Sequence, residues 1–253
     1  MQEVVQSVER TLSIIEVLSE YEDGLGLTEI SEKVALHKST VHRLLYTLIV
    51  KKYVHQNEET NKYKLTLKLF EIGSKKVEKM NIVTAARPLL QELMEKTNEV
   101  IHLVVREGTE IVYIAKVESQ NPIRMYSRIG KRSQVYCTAV GKSMLAHMTD
   151  EEVLSIWQNS HIDKLTEYTI TDFNKFKEVL SIVKEKGYAV DEQENEIGIR
   201  CTAASILDYK GEVCGAISIS GSIISFKEDK VEEFSKLIIE YAGKISRELG
   251  YRA

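Results

Sequence analysis

A chain of 253 residues, 43% hydrophobic and 28% charged, has enough apolar material for one large domain or two modest ones, and the composition of a soluble globular protein. Its formal net charge of −4 carries no global signature of a nucleic-acid partner. Three cysteines, Cys137, Cys201 and Cys214, lack metal-ligand spacing; no apolar run is long enough to cross a bilayer and no leader segment is visible, so a reduced, cytoplasmic protein is expected.

The average charge hides an asymmetry. Residues 1–35 hold two basic side chains against eight acidic ones, whereas residues 36–68 hold seven basic ones against Glu58 and Glu59. A local basic segment inside an acidic protein is the footprint of a small DNA-reading surface, with an ordinary solvated charged face as the alternative. In chain order, SVERTLSIIEVLSEYEDG predicts a helix with Val8, Leu12, Ile15 and Leu18 in one apolar row, Ser7 as N-cap and Gly24 past its end. LTEISEKVAL predicts a short helix capped by Thr28. The third helix, HKSTVHRLLYTLIVKKYV, carries Val41, Leu44, Leu45, Leu48 and Ile49 at the spacing of a buried stripe. Around that stripe lie Lys38, Ser39, Thr40, His42, Arg43 and Tyr46, which are hydrogen-bonding groups rather than the Glu/Lys mixture of a merely solvated helix. Such groups reach base edges, and arginine suits guanine O6 and N7. YVHQ and KYKL then read as two short strands around the turn NEETN, with Lys62 and Lys64 placed to approach phosphates. This order is that of a winged helix-turn-helix over residues 1–66. A helical protein-interaction module competes with it, and predicts no salt-dependent binding to DNA.

The next stretch favours helix throughout, giving a linker helix over residues 67–80 and a second helix resuming at or near Pro88, because proline suits a first turn and not a helix interior. Residues 81–253 form the second domain. EVIHLVVREGTEIVYIAKVES predicts a hairpin turning at Gly108, and IRMYSRIG a third strand. YCTAVGKSML, residues 136–145, superficially matches a phosphate-binding loop, but the Walker pattern needs glycine where Tyr136 stands, so no nucleotide site is expected. Helices follow over 150–157 and 173–186, the latter ended by Gly187; strands return at YAVDEQ, IRCTAASILD and VCGAISISG, and a helix from about Lys227 to Leu249 closes the chain. Strands, helices, strands and a closing helix define an α+β domain with an antiparallel sheet. Ser218 and Ser220 alternate with Ile217 and Ile219, so both hydroxyls face one side of their strand.

Enzymatic alternatives are few. Cys137 with His147 has the composition of a cysteine hydrolase without an oxyanion-hole motif, and Asp191 with Glu194 could serve as acid and base or, with His102 or His147, as metal ligands. The plainer assignments are a packed thiol, a hydrogen-bond acceptor and a surface or domain-closing carboxylate. Neither a cofactor nor a metal is expected.

Taken together, SVERTLSIIEVL, KSTVHRLLYTL, NKYKLTLKLFEIG, CTAVGKSMLA and DEQENEIGIRCTAASILD…GAISISG resemble the IclR family of transcriptional regulators along the whole chain. KYKLTLKLFEIG, IRMYSRIGKRS and ENEIGIRC are most similar to its repressors of pectin and ketodeoxygluconate catabolism. The resemblance implies a winged-helix DNA reader joined by a helix to a GAF-like effector domain, working as a homodimer or homotetramer on a double-stranded operator. It further implies an effector pocket under Thr138, Ala139 and Gly141, lined by Asp191, Cys201, Ser218 and Ser220, for a small carboxylated molecule such as 2-keto-3-deoxygluconate. A regulator of this kind is expected to be no enzyme. One departure is Ser205, where family members commonly carry proline.

Overall fold

The computed structural model describes residues 4–78, 81–120 and 127–252. The chain divides into two compact units, residues 1–79 and 80–253.

In the first unit, α1 (Gln6–Ser19), α2 (Leu27–Lys33) and α3 (Lys38–Val50) precede an antiparallel hairpin of β1 (Val54–Gln56) and β2 (Tyr63–Leu65), and α4 (Lys68–Glu78) follows. The stripe expected on α3 is the one it buries: Val41, Leu45 and Leu48 enter a core with Ile14, Leu18, Ile30 and Tyr63, and Leu44 and Ile49 pack at its margin. The expected face of α1 holds only in its second half, where Leu18 is buried and Ile15 packs at the core margin. Ile14 and Leu18 point inward, while Val8 and Leu12 are more than half exposed. At about 100° per residue the Val8–Leu12 row lies roughly a third of a turn from Ile14 and Leu18, so an apolar row by itself does not identify the core side. Nor does Ser7 cap α1, which starts after Val5; α2 starts after Gly26, whose amide donates to the Glu29 carboxylate at 2.7 Å. Gly24 has a positive φ of 72°, and a Cβ there would meet the backbone of Tyr63, where Leu25 and Tyr63 exchange backbone hydrogen bonds of 3.1 and 2.8 Å. The hairpin thereby gains a third, one-residue rung.

The second unit holds a six-stranded antiparallel sheet in the order β5-β4-β3-β8-β7-β6. Its strands are β3 (Val100–Glu107), β4 (Glu110–Val117), β5 (Arg132–Gln134), β6 (Ala189–Glu192), β7 (Ile199–Leu207) and β8 (Val213–Ser222). Of the strand expected at 123–130, residues 121–126 lie outside the described residues, and 127–130 form no strand; the edge is β5 instead. Helices α5 (Asn81–Thr97) and α9 (Val231–Glu248) pack on strands of this sheet, as does α6 (Ala139–Leu145), which also meets α8 (Phe173–Lys186); α7 (Asp150–Asn159) lies between α6 and α8 in sequence. Thr202 meets Ser235 of α9, whereas its neighbours Cys201 and Ala203 pack in the cluster built around α6, as strand alternation requires. Pro88 sits inside α5 rather than at its start. Its nitrogen cannot donate to the Thr84 carbonyl, yet Ile82, Val83, Ala86, Leu90 and Leu93 are buried on both sides of it, and their packing outweighs the lost bond.

Candidate functional site

On α3, Lys38, Ser39, His42, Arg43 and Tyr46 are exposed and Thr40 is half-buried, so the hydrogen-bonding face read from the sequence is open to solvent. Its rigidity comes from the opposite face, where the core stripe is locked. The hairpin lysines have competition. Lys64 Nζ lies 3.9 Å from Asp23, and Lys62 lines a cleft shared with Glu20, Glu22 and Glu32.

In the second unit, strand register assembles a polar row on one face of the sheet. Asp191 on β6 stands opposite Cys201 on β7, Cys201 opposite Ser220 on β8, and Ser218 opposite His102 on β3. These residues, with Tyr113, Ser127 and Lys131, line a cavity of about 40 Å³ closed by Thr138, Ala139 and Val140 of the α6 start. His102, which the sequence offered only as an alternative metal ligand, is the hub of the cavity. Its Nδ1 lies 3.3 Å from Ser218 Oγ and 3.2 Å from Ser220 Oγ, its Nε2 2.7 Å from Ser127 Oγ, and Tyr113 packs edge-on at 5.0 Å. Burial, reinforced by Lys116 and Lys131, holds the imidazole down to about 3, so it is neutral and one ring nitrogen donates while the other accepts. Asp191 is pushed the other way. Burial raises its carboxyl to about 7 against the pull of Lys142, and its Oδ1 accepts from the amides of Glu194 at 2.7 Å and Asn195 at 3.4 Å.

The GKS stretch has three structural duties and no phosphate loop. Gly141 lies against Val135, and its amide donates to Thr138 Oγ1 at 3.2 Å, leaving Gly141 outside the cavity lining. Lys142 is buried in an ion pair with Glu194, which fixes the loop carrying Asn195 and Glu196 at the cavity. Ser143 Oγ donates to the Val140 carbonyl at 2.9 Å and accepts from Ser205 Oγ at 3.3 Å, a contact proline at 205 would abolish.

No hydrolase constellation is assembled from the residues that suggested one. Cys137 Sγ is directed to Gln134 O and Asn195 Oδ1, while His147 lines a separate cleft with Arg247 and Tyr251. Burial pushes the Cys137 thiol up to about 12 and raises Cys201 as well, so both are protonated thiols rather than nucleophiles. Glu194 is committed to Lys142. Among the described residues no group of three or more His, Cys, Asp or Glu side chains is placed to hold a metal, and no helix is long and apolar enough to cross a membrane.

A helix-turn-helix unit followed by a sensor-like α+β unit with a polar cavity defines a class of regulatory proteins, and comparison with known proteins narrows it. The profile of the IclR helix-turn-helix domain matches residues 7–58, and that of the C-terminal region of bacterial IclR transcriptional regulators matches residues 74–247. The chain is 40% identical over 247 residues to the HTH-type transcriptional regulator KdgR of Escherichia coli (strain K12), covering 98% of this chain and 94% of that one. It is 36% identical to the DNA-binding transcriptional repressor YiaJ of the same organism, covering 97% and 88%. The crystal structure of Thermotoga maritima IclR superposes with a TM-score of 0.85 at 34% identity, covering 98% of this chain and 100% of that one. This protein belongs to the IclR family of bacterial transcriptional regulators. These relatives are regulators, and the enzyme alternative finds no support among them.

Proposed function

We propose that the protein is a cytoplasmic, ligand-responsive repressor of a sugar-acid catabolic operon. In this reading residues 1–66 read DNA, 67–80 link, and 81–253 bind the effector. The observation that carries the DNA-reading half is the solvent-facing set Ser39, His42, Arg43 and Tyr46 on a helix whose other face is locked in a core. One such helix is too small a surface for tight binding, so a homodimer or homotetramer on a pseudo-palindromic operator follows. The apolar residues that α1 and its lead-in leave exposed, Val4, Val5, Val8 and Leu12, with Leu67 and Phe70 at α4, support self-association. Arg43→Ala is expected to weaken operator binding by about 1–3 kcal/mol with little change on random DNA. Lys62→Ala should weaken both equally and lower the salt slope by about one unit. Gel shifts at three salt concentrations check both; an equal loss on both DNAs for Arg43→Ala moves that residue to a phosphate contact.

The effector half rests on the cavity's inventory. Asp191, Ser218, Ser220 and neutral His102 offer acceptors and donors to a polyhydroxy acid, and the resemblance to KdgR favours 2-keto-3-deoxygluconate. At about 40 Å³ the cavity is water-sized, so a six-carbon acid is admitted only when its wall yields. Ser127 and Lys131, the half-buried lining residues that flank the exposed turn 128–130, are the part of the wall with least packing to lose. Ser218→Ala is expected to lower effector affinity by about 1–3 kcal/mol, because it removes a partner of the ligand and of His102 together. Calorimetric titration with sugar acids tests this, and undiminished binding removes Ser218 from the site.

A further inference from the structure

We infer that Lys131 is the residue that reads the effector's negative charge, an assignment that rests on the effector site proposed above. A carboxylate drawn into a cavity walled by protein loses its hydration and needs a cation or several donors in return. Among the described residues three lysines surround the cavity, and two are committed. Lys142 is buried in its pair with Glu194 and does not line the cavity. Lys116 Nζ donates to the Ser127 carbonyl at 2.7 Å and meets Glu118 at 2.8 Å. Lys131 lines the cavity, is half-buried, and its ammonium has no ion-pair or hydrogen-bond partner among the described residues.

Other receptors at the cavity, the backbone amides of Ala139 and Val140 among them, bring no full charge. α6 has only seven residues, and the Gly141 amide in its first turn is already taken by Thr138. His102 is neutral, and its two nitrogens are engaged with Ser218, Ser220 and Ser127. Lys131 lies close enough to His102 to add, after burial and Lys116, to the depression of the imidazole.

The fold also orients the ligand. Lys131 directly precedes β5 at one edge of the sheet and Asp191 lies on β6 at the other, so the curled sheet brings a cation and a carboxyl into one cavity from opposite edges. An acid bound with its carboxylate at Lys131 keeps that charge away from Asp191 and turns its hydroxyls toward Asp191, Ser218 and Ser220. The specificity-determining contrast is therefore between a sugar acid and its uncharged counterpart.

The test uses the full chain, a panel of sugar acids that includes 2-keto-3-deoxygluconate and gluconate, and the primary amide of each, titrated by calorimetry. Wild type should prefer acid over amide. Lys131→Met should lose on the order of ten- to a hundredfold affinity for the acid, the scale of one hydrogen bond to a charged group, and little for the amide. Lys131→Arg should recover most of the loss, and the salt dependence of acid binding should vanish only in the Met variant. Thermal unfolding without ligand reports whether each variant is folded. Equal acid affinity in wild type and Lys131→Met, with Ser218→Ala impaired, overturns this assignment and leaves the effector site standing; so does a wild type that binds acid and amide alike. A wild type that binds no member of the panel overturns the sugar-acid reading, and this assignment with it.

Discussion

Gly141→Ala is expected to unfold the effector unit. A Cβ at this position would lie 2.5 Å from the Val135 Cα and closer still to the Val135 carbonyl oxygen, so backbone collides with backbone and no side-chain rotation relieves it. α6 cannot slide away, because all seven of its residues are buried, Thr138 caps it, and Lys142 is paired to Glu194 on the neighbouring loop. Overpacking of this kind, with a buried ion pair broken by any relaxation, belongs among the rare substitutions that destabilise by more than about 4 kcal/mol. Gly73→Ala is the control: nothing lies within 4 Å of its added methyl, and alanine in α4 should stabilise by up to about 1 kcal/mol. Urea unfolding followed by circular dichroism distinguishes the two. A Gly141→Ala protein with the wild-type midpoint would show that α6 does not pack on Val135 as described.

Asp191→Asn should make stability rise more steeply with pH below neutrality than in the native protein. The Asp191 carboxyl, ordinarily 3.8, is raised to about 7 by burial. A group that binds protons more readily when folded contributes stability that is fully present below about pH 4 and is lost as pH rises toward 7, at about 1.4 kcal/mol per unit, or about 4 kcal/mol in all. His102 has the opposite sign. It is held from 6.5 to about 3, so its contribution is present above pH 6.5 and lost as pH falls toward 3. Between about pH 4 and 6.5 the two slopes cancel. The groups facing them keep their roles: Cys137 and Cys201 stay protonated, Lys142 and Glu194 remain in both proteins, and so do Lys116 and Lys131 beside His102. With asparagine at 191, which still accepts the amides of Glu194 and Asn195, the histidine slope is no longer opposed by that of Asp191. Stability should then climb by roughly 3 kcal/mol from pH 4 to 6.5, and exceed that of wild type by up to about 4 kcal/mol above pH 7. Unfolding midpoints at pH 4.5, 6 and 8 provide the measurement; parallel profiles for the two proteins would mean that Asp191 ionises freely.

What was legible in the chain is what short-range periodicity encodes. The α3 stripe, the Ser218/Ser220 alternation and the Gly187 stop each depend on a few consecutive residues, and all three appear as read. The buried side of α1 was not legible, since Val8 and Leu12 are as apolar as Ile14 and only contact with the rest of the unit selects between them. Lys131, and the place of His102 in the cavity, escaped assignment for a different reason. His102 reaches Ser218 across 116 residues of chain, and nothing near either residue announces the partner. Gly141 was recognised as part of a motif, but its duty is set by a crossing with Val135 that has no periodic signature.

The pairing of β3 with β8 also sets an order of events during synthesis. The three helices and hairpin of the first unit are complete once residue 65 is made, and their farthest backbone exchange joins Leu25 to Tyr63. The sheet of the second unit has its fourth strand in space, β8, last in sequence, so the cavity has no Ser218 or Ser220 until nearly the whole chain has left the ribosome. Local contacts form early and such distant ones late. Under the function proposed above, a nascent chain, or one cut short before Val213, therefore owns a reader without a sensor. Premature termination in the gene for this protein would yield fragments deaf to the effector, not merely fragments of lower stability.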